Sequence, residues 1–218
     1  MKQTIAVIDY GMGNLHSVAK AFVHVAEEQF AKNRIEVLVT DQAEQICQAD
    51  KIVFPGVGAI RDCMAELKSR GLDHALYQVM ANKPLLAICV GMQALLESSE
   101  ENHGVGCLGV FSGRIKRFDA TLTENNKPIK VPHMGWNQVK QTQTHPLWQS
   151  IEDDARFYFV HSYHAAEVEP QWIAGETHYG ETFVSSIARD NIFAVQFHPE
   201  KSQNNGLKLL ANFLTWSG

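Results

Sequence analysis

The sequence predicts an α/β fold: a central, mostly parallel sheet flanked by helices, with additional antiparallel strands in the C-terminal half. Three observations carry this expectation. Short apolar runs alternate with helical periodicity up to about residue 105. Beyond that point strand-like segments follow one another with little helix between them. No Pro/Gly/Ser-rich linker, repeat or low-complexity run divides the 218 residues. Alternating strands and helices with short apolar strands imply a parallel sheet covered on both faces. Residues 1–218 are expected to form a single domain.

Thr4 to Asp9 is a short apolar run ended by Tyr-Gly-Met-Gly, as a buried strand and its turn require. A helix follows, with Leu15, Val18, Phe22 and Val25 on one face. Ile35 to Val39 is a second strand, Ala43 to Gln48 a short helix, and Lys51 to Phe54 a third strand stopped by Pro55-Gly56. Helices are expected over Ala59 to Arg70 and Leu72 to Ala81, with Gly71 between them. Leu85 to Ile88 is a fourth strand, running into Cys89-Val-Gly-Met-Gln and another helix. In the second half, Val110 to Phe118, Val131 to Val139, Arg156 to Ala165 and Ile173 to Tyr179 read as strands. Phe183 to Ile187 and Ile192 to Phe197 flank Ala-Arg-Asp-Asn, a hairpin turn signal. Leu207 to Trp216 closes the chain as a helix, with Leu207, Leu210 and Leu214 on one side. Glu124 to Pro128 reads as an exposed turn.

A net charge of −5 offers no basic excess to neutralise phosphates, which argues against nucleic acid as a partner. Asp9 interrupts the first apolar run too early for a signal-peptide core. No stretch approaches the roughly 18 apolar residues of a membrane helix. Cys47, Cys63, Cys89 and Cys107 are scattered without a C-x-x-C pair, as reduced thiols of a cytoplasmic protein would be.

The most informative stretch is Pro-Leu-Leu-Ala-Ile-Cys89-Val-Gly-Met-Gln. An apolar strand ends on Cys89 and turns at Gly91 into a helix. That is a nucleophile elbow, with Ala87 as the small residue before the cysteine and Gly91 after it. A helix N-terminus there lowers a thiol pKa and offers backbone N–H groups to an oxyanion. The bland alternative is a buried cysteine packed as a small hydrophobe. A nucleophile needs a base, and the base an orienter. Ala-Val-Gln-Phe-His198-Pro-Glu200 offers both, because side chains two apart on an extended backbone share a side. Pro55-Gly56-Val57-Gly58 is a strand-to-helix turn whose glycines let the backbone approach a ligand. It lacks the pattern of a nucleotide P-loop.

In this order, the P-G loop, the C-x-G elbow and H-P-E resemble the class I glutamine amidotransferase family, of flavodoxin-like fold. Four further stretches narrow the resemblance to the glutaminase subunits that serve histidine biosynthesis. They are Asp9 to Val18 (DYGMGNLHSV), Pro55 to Ala59 (PGVGA), Pro132 to Asn137 (PHMGWN) and Phe159 to His164 (FVHSYH). Ala87 departs from the usual Gly, and a few extra residues around Glu27 to Arg34 lengthen a connection. The resemblance implies a Cys89, His198, Glu200 triad acting on L-glutamine. It assigns the oxyanion and substrate contacts to Gly56, Val57, Gly58, Val90 and Gln93. The released ammonia would pass to a separate cyclase subunit of (β/α)8-barrel fold in a heterodimer. Asn14, Trp136 and Tyr163 would lie on the docking face, and no cofactor or metal is implied. At 218 residues the chain is expected to leave no room for the acceptor chemistry.

Other readings are a paralogous glutaminase supplying ammonia for surface-polysaccharide sugars, a cysteine hydrolase of another substrate class, and a non-catalytic module that docks a barrel. The intact Cys89, His198 and Glu200 argue against the last. His161 and His164, three apart in a predicted strand, are expected on opposite faces and so unable to chelate together. His133, His145 and the segment Glu97 to His103 read as surface residues. Cys47, Cys63 and Cys107 are expected to pack.

Overall fold

The computed structural model describes residues 2–30, 34–119, 121–124 and 127–218. In chain order its main elements are β1 (Gln3–Ile8), α1 (Leu15–Gln29), β2 (Ile35–Thr40), α2 (Ala43–Gln48), β3 (Lys51–Gly56), α3 (Ile60–Ser69), α4 (Leu72–Met80), β4 (Leu85–Cys89) and α5 (Val90–Ala94). There follow β5 (Arg114–Arg117), β6 (His133–Gln141), β7 (Ala155–His161), β8 (Tyr163–Ala166), β9 (Ile173–Tyr179), β10 (Glu181–Arg189), β11 (Ile192–Val195) and α6 (Gln203–Thr215).

The parallel core runs β2-β1-β3-β4-β11. This is the 2-1-3-4-5 order of doubly wound sheets, whose ligands sit at the carboxyl ends of the strands. Every residue of β3 and β4 is buried, as expected of strands covered on both faces. Helix α1 supplies Val18, Phe22 and Val25 to the core, and Phe22 meets Phe213 of α6 edge to face at 5.9 Å. Helices α2, α3 and α4 form a second group, with α2 against α4 and α3 against α4 and α5. Gly71 separates α3 from α4 in the left-handed region, φ 67°.

From β11 the sheet continues antiparallel through β10, then β8 and β5, while β9 pairs with both β10 and β6, and β6 pairs with β7. The last strand, β11, lies parallel to β4, with Ile192 opposite Leu85 and Val195 opposite Ile88. That pairing brings the residues after Val195 alongside Cys89.

Several sequence expectations need correction. Arg156 to Ala165 is not one strand; it breaks at Ser162, whose carbonyl accepts from Phe118 N at 3.1 Å. Of Val110 to Phe118 only Arg114–Arg117 is strand, because Val110 N and Phe111 N are spent on the Leu95 carbonyl. The helix after Cys89 is a five-residue piece, Val90–Ala94. Helix α6 begins at Gln203 and buries Leu209, Leu210, Phe213 and Leu214, with Leu207 only partly covered. Part of the expected turn at 124–128, and part of the lengthened connection at 27–34, lie outside the described residues. No helix among the described residues is long and apolar enough to cross a membrane.

Candidate active site

Cys89 ends β4 with φ 55° and ψ −110°, a positive-φ backbone that L residues adopt only under constraint. The constraint is close packing of the turn. A Cβ on Gly91 would lie 2.0 Å from the Phe54 carbonyl oxygen, so only glycine lets the turn seat on β3. Ala87 fits within the sheet, fully buried between Phe54 and Ala194. The strained turn therefore forms with alanine in that place.

His198 follows β11, and its backbone is pinned to β7. His198 N donates to Tyr158 O at 2.9 Å, while Ser202 Oγ donates to His198 O at 2.6 Å and accepts from Tyr158 N at 2.9 Å. Gly206 of α6 packs so close to the Pro199 carbonyl that a Cβ would meet it at 1.9 Å, which holds the His-Pro-Glu turn against the helix. Glu200 Oε1 lies 2.9 Å from His198 Nδ1, with both side chains buried. A carboxylate only accepts, so Nδ1 carries the proton and Nε2 faces away. Nε2 has no hydrogen-bond partner within the described residues.

His198 and Cys89 line one cavity of about 340 Å³ with Val57, Gly58, Val90, Gln93 and Tyr163, and with Glu101, Pro132, Val160, His161 and Ser162. Burial opposes charge on His198, yet the neighbouring Cys89 sulfur and Glu200 outweigh it and push the ring up to about 10. The ring thus holds its proton in the cavity that Cys89 also lines, as the base beside a cysteine nucleophile must before it protonates a leaving group.

The cavity gathers Val57, Gly58, Cys89, Val90, Gln93, Tyr163 and His198 of the residues singled out in the sequence. Glu200 stands behind His198. Gly56 lies beneath the wall, where a Cβ would meet Tyr10 Oη at 2.5 Å and Gly91 N at 2.8 Å. Asn14 precedes α1 and Trp136 lies on β6, both off the cavity wall. Trp136 is 42 % exposed, and Met134, two residues before it on the same side of the strand, is 62 % exposed.

Three residues escaped the sequence reading. Gln196, fully buried, donates through Nε2 to Cys89 Sγ at 3.6 Å and accepts from Gln93 Nε2 at 3.0 Å. Its only signal was a polar side chain two before His198 on a strand otherwise apolar. Tyr10 donates to the Pro55 carbonyl at 2.9 Å and braces the glycine turn. Glu101 accepts from Ile60 N at 2.9 Å and reaches the cavity, so the segment Glu97 to His103 is not merely surface.

The other histidines also differ from expectation. His133 is buried, and His145 packs its ring 4.5 Å from Phe193 and 5.1 Å from Trp216. Because the chain breaks at Ser162, the His161 and His164 rings both contact Phe118, at 5.2 and 4.5 Å, instead of facing opposite ways. No cluster of three metal-ligating side chains occurs among the described residues. Cys63 is buried and Cys47 and Cys107 half-buried, all as free thiols.

A cysteine elbow, a buried His–Glu couple and a glycine turn thus meet at the carboxyl ends of a doubly wound sheet, the arrangement of a candidate cysteine-dependent site. The chain belongs to the class I glutamine amidotransferase family, whose model matches residues 6–216. It is 56 % identical over 218 residues to "imidazole glycerol phosphate synthase subunit HisH 1" of Pseudomonas aeruginosa, covering 100 % of this chain and 99 % of that protein. The HisH subunit of Nitrosococcus oceani is also 56 % identical, over 99 % of this chain and 98 % of its own length. Among solved structures, the glutaminase domain of Trypanosoma brucei CTPS shares the fold with a TM-score of 0.66 at 18 % identity, covering 98 % of this chain and 94 % of that one.

Proposed function

We propose that this chain hydrolyses L-glutamine to glutamate and ammonia as the glutaminase subunit of imidazole glycerol phosphate synthase, in the cytoplasm. The ammonia passes to a separate cyclase subunit of (β/α)8-barrel fold for histidine biosynthesis. The observation that carries the reading is Cys89 on its strained elbow, sharing one cavity with His198, whose Nδ1 is held by buried Glu200. Full-length identity to proteins named HisH supports the pathway.

The Cys89 thiolate attacks the γ-carboxamide carbon of glutamine, and the carbonyl electron pair moves to oxygen. Backbone N–H groups of Val90 and of the Gly56 to Gly58 turn stabilise that oxyanion. His198 gives its Nε2 proton to the departing nitrogen, which leaves as ammonia and yields a glutamyl thioester. His198 then takes a proton from water, which attacks the thioester and releases glutamate and the thiolate. Glu200 fixes the tautomer and steadies the imidazolium throughout. Gln93 contacts the bound glutamine.

The test is glutamate release with and without the candidate cyclase and its nucleotide ligand. Activity should be weak alone and rise strongly in the complex, and full activity of the isolated chain would sink the coupling. Cys89→Ala should lower glutamine-dependent turnover by on the order of a thousandfold or more, while turnover driven by added ammonia persists. Retained glutamine-dependent turnover in that variant would end the triad assignment.

A further inference from the structure

A continuous chain of hydrogen bonds runs from β6 to the Cys89 sulfur, and its polarity follows from its two ends. His133 and His161 face each other across β6 and β7, with His133 Nδ1 3.0 Å from His161 Nε2. His161 Nδ1 lies 2.8 Å from the Tyr163 carbonyl, which can only accept, so Nδ1 holds the proton. Burial lowers the pKa of both rings, to about 4 for His133 and about 3 for His161, so each is neutral at pH 7. The Nε2 of His161 is then a lone pair, and His133 must donate to it from Nδ1. That leaves His133 Nε2 as an acceptor 3.3 Å from the Asn137 amide nitrogen, which also donates to His178 O at 2.8 Å. One proton arrangement satisfies every contact.

The Tyr163 carbonyl at the chain's inner end is shared. Gln93 Nε2 donates to it at 3.0 Å and also to Gln196 Oε1 at 3.0 Å, and Gln196 Nε2 reaches Cys89 Sγ. The rings are locked by packing: His133 stacks on Tyr179 at 4.0 Å and Phe159 at 4.9 Å, and His161 lies 5.2 Å from Phe183. At its outer end the chain begins on the strand that carries exposed Met134 and Trp136. A buried, fully satisfied polar network of this kind specifies one geometry, whereas an apolar core would leave the amides of Gln93 and Gln196 free to turn.

We propose that His133 and His161 are positioning residues for glutamine hydrolysis. As Nδ1-protonated rings they fix the Tyr163 carbonyl, and through it the Gln93 and Gln196 amides around the Cys89 sulfur, and they tie that geometry to the exposed strand β6. The inference rests on the glutaminase reading above.

The test compares His133→Phe and His161→Phe, which keep a ring but lose the donor, with His133→Asn and His161→Asn, whose amide nitrogen stands near the place of Nδ1. In the complex with the cyclase, the Phe variants should lose about tenfold in glutamine-dependent kcat with a smaller change in KM. The Asn variants should recover most of that loss even where they are the less stable pair. Phe and Asn variants with equal kcat, or a loss confined to KM, would overturn the proposal. A wild-type complex without glutaminase activity would overturn the glutaminase reading together with it, so the two failures are distinguishable. Independently of folding in any variant, imidazole nitrogen NMR of the wild-type chain at neutral pH should show Nδ1-protonated rings at both positions. An Nε2-protonated His161 would refute the chain's polarity.

Discussion

At Cys89 the backbone conformation, φ 55° and ψ −110°, is one that glycine tolerates and that costs other residues about 1–3 kcal/mol. Glycine ordinarily destabilises a folded chain by roughly 0.5–1 kcal/mol relative to alanine. Here the order should invert, because Cys89→Gly relieves strain that Cys89→Ala retains, and both lose the same thiol. Urea unfolding of the two inactive variants should therefore find Cys89→Gly more stable by about 1 kcal/mol. The usual alanine advantage would mean the elbow stores no strain. Gly91 is the reverse case. Its Cβ would strike the Phe54 carbonyl, so Gly91→Ala should destabilise by roughly 2 kcal/mol or more, read from the same unfolding curves. That Cys89, His198 and Glu200 come together was legible in the sequence, because Cys89 and His198 each close an apolar run and Glu200 stands two residues after His198. Gln196 was not, since a buried amide has meaning only once β11 has been placed beside β4.

Elements carry the pH response. His133 on β6 and His161 on β7 are buried, and His145 before the turn at Pro146 half-buried, among aromatic rings, and this loss of solvent holds them at about 4, 3 and 4. A group whose folded pKa is depressed takes up its proton in the unfolded chain first. Their contribution to stability is therefore complete above about pH 6.5 and is lost as the pH falls towards 4. His198 has the opposite sign. Raised to about 10, it contributes fully below its unfolded value and loses that contribution as the pH climbs through 10. Urea midpoints should fall between pH 7 and pH 4.5, and His133→Phe should flatten part of that fall while keeping the stack on Tyr179. A midpoint that stays level on acidification would contradict neutral burial. Periodicity placed β9 at Ile173–Tyr179 and the α3–α4 break at Gly71 correctly, because apolar spacing and a left-handed glycine are local properties. It joined β7 to β8, since nothing local marks Ser162 as a break until Phe118 reaches across to bond its carbonyl.

At the scale of the molecule, the parallel pairing of β11 with β4 joins residues more than a hundred apart in sequence, and no periodicity encodes it. The consequence is one functional end of the sheet, where the carboxyl ends of β3, β4 and β11 deliver the glycine turn, Cys89 and His198. Near that end, β6 opens with buried His133 and then presents Met134 and Trp136 outward. In the proposed complex this apolar pair belongs at the contact with the cyclase, because a tryptophan 42 % exposed, meeting Tyr158 edge-on at 6.1 Å, leaves much of its apolar surface uncovered in the isolated fold. Buried tryptophans at interface centres typically cost about 2 kcal/mol or more when truncated, roughly thirtyfold in affinity. Trp136→Ala should weaken the complex by that order in a titration against the cyclase, while the urea midpoint of the isolated chain shifts by no more than about 0.5 kcal/mol equivalent. Unchanged affinity with a lowered midpoint would make Trp136 a packing residue and place the docking face elsewhere on the molecule.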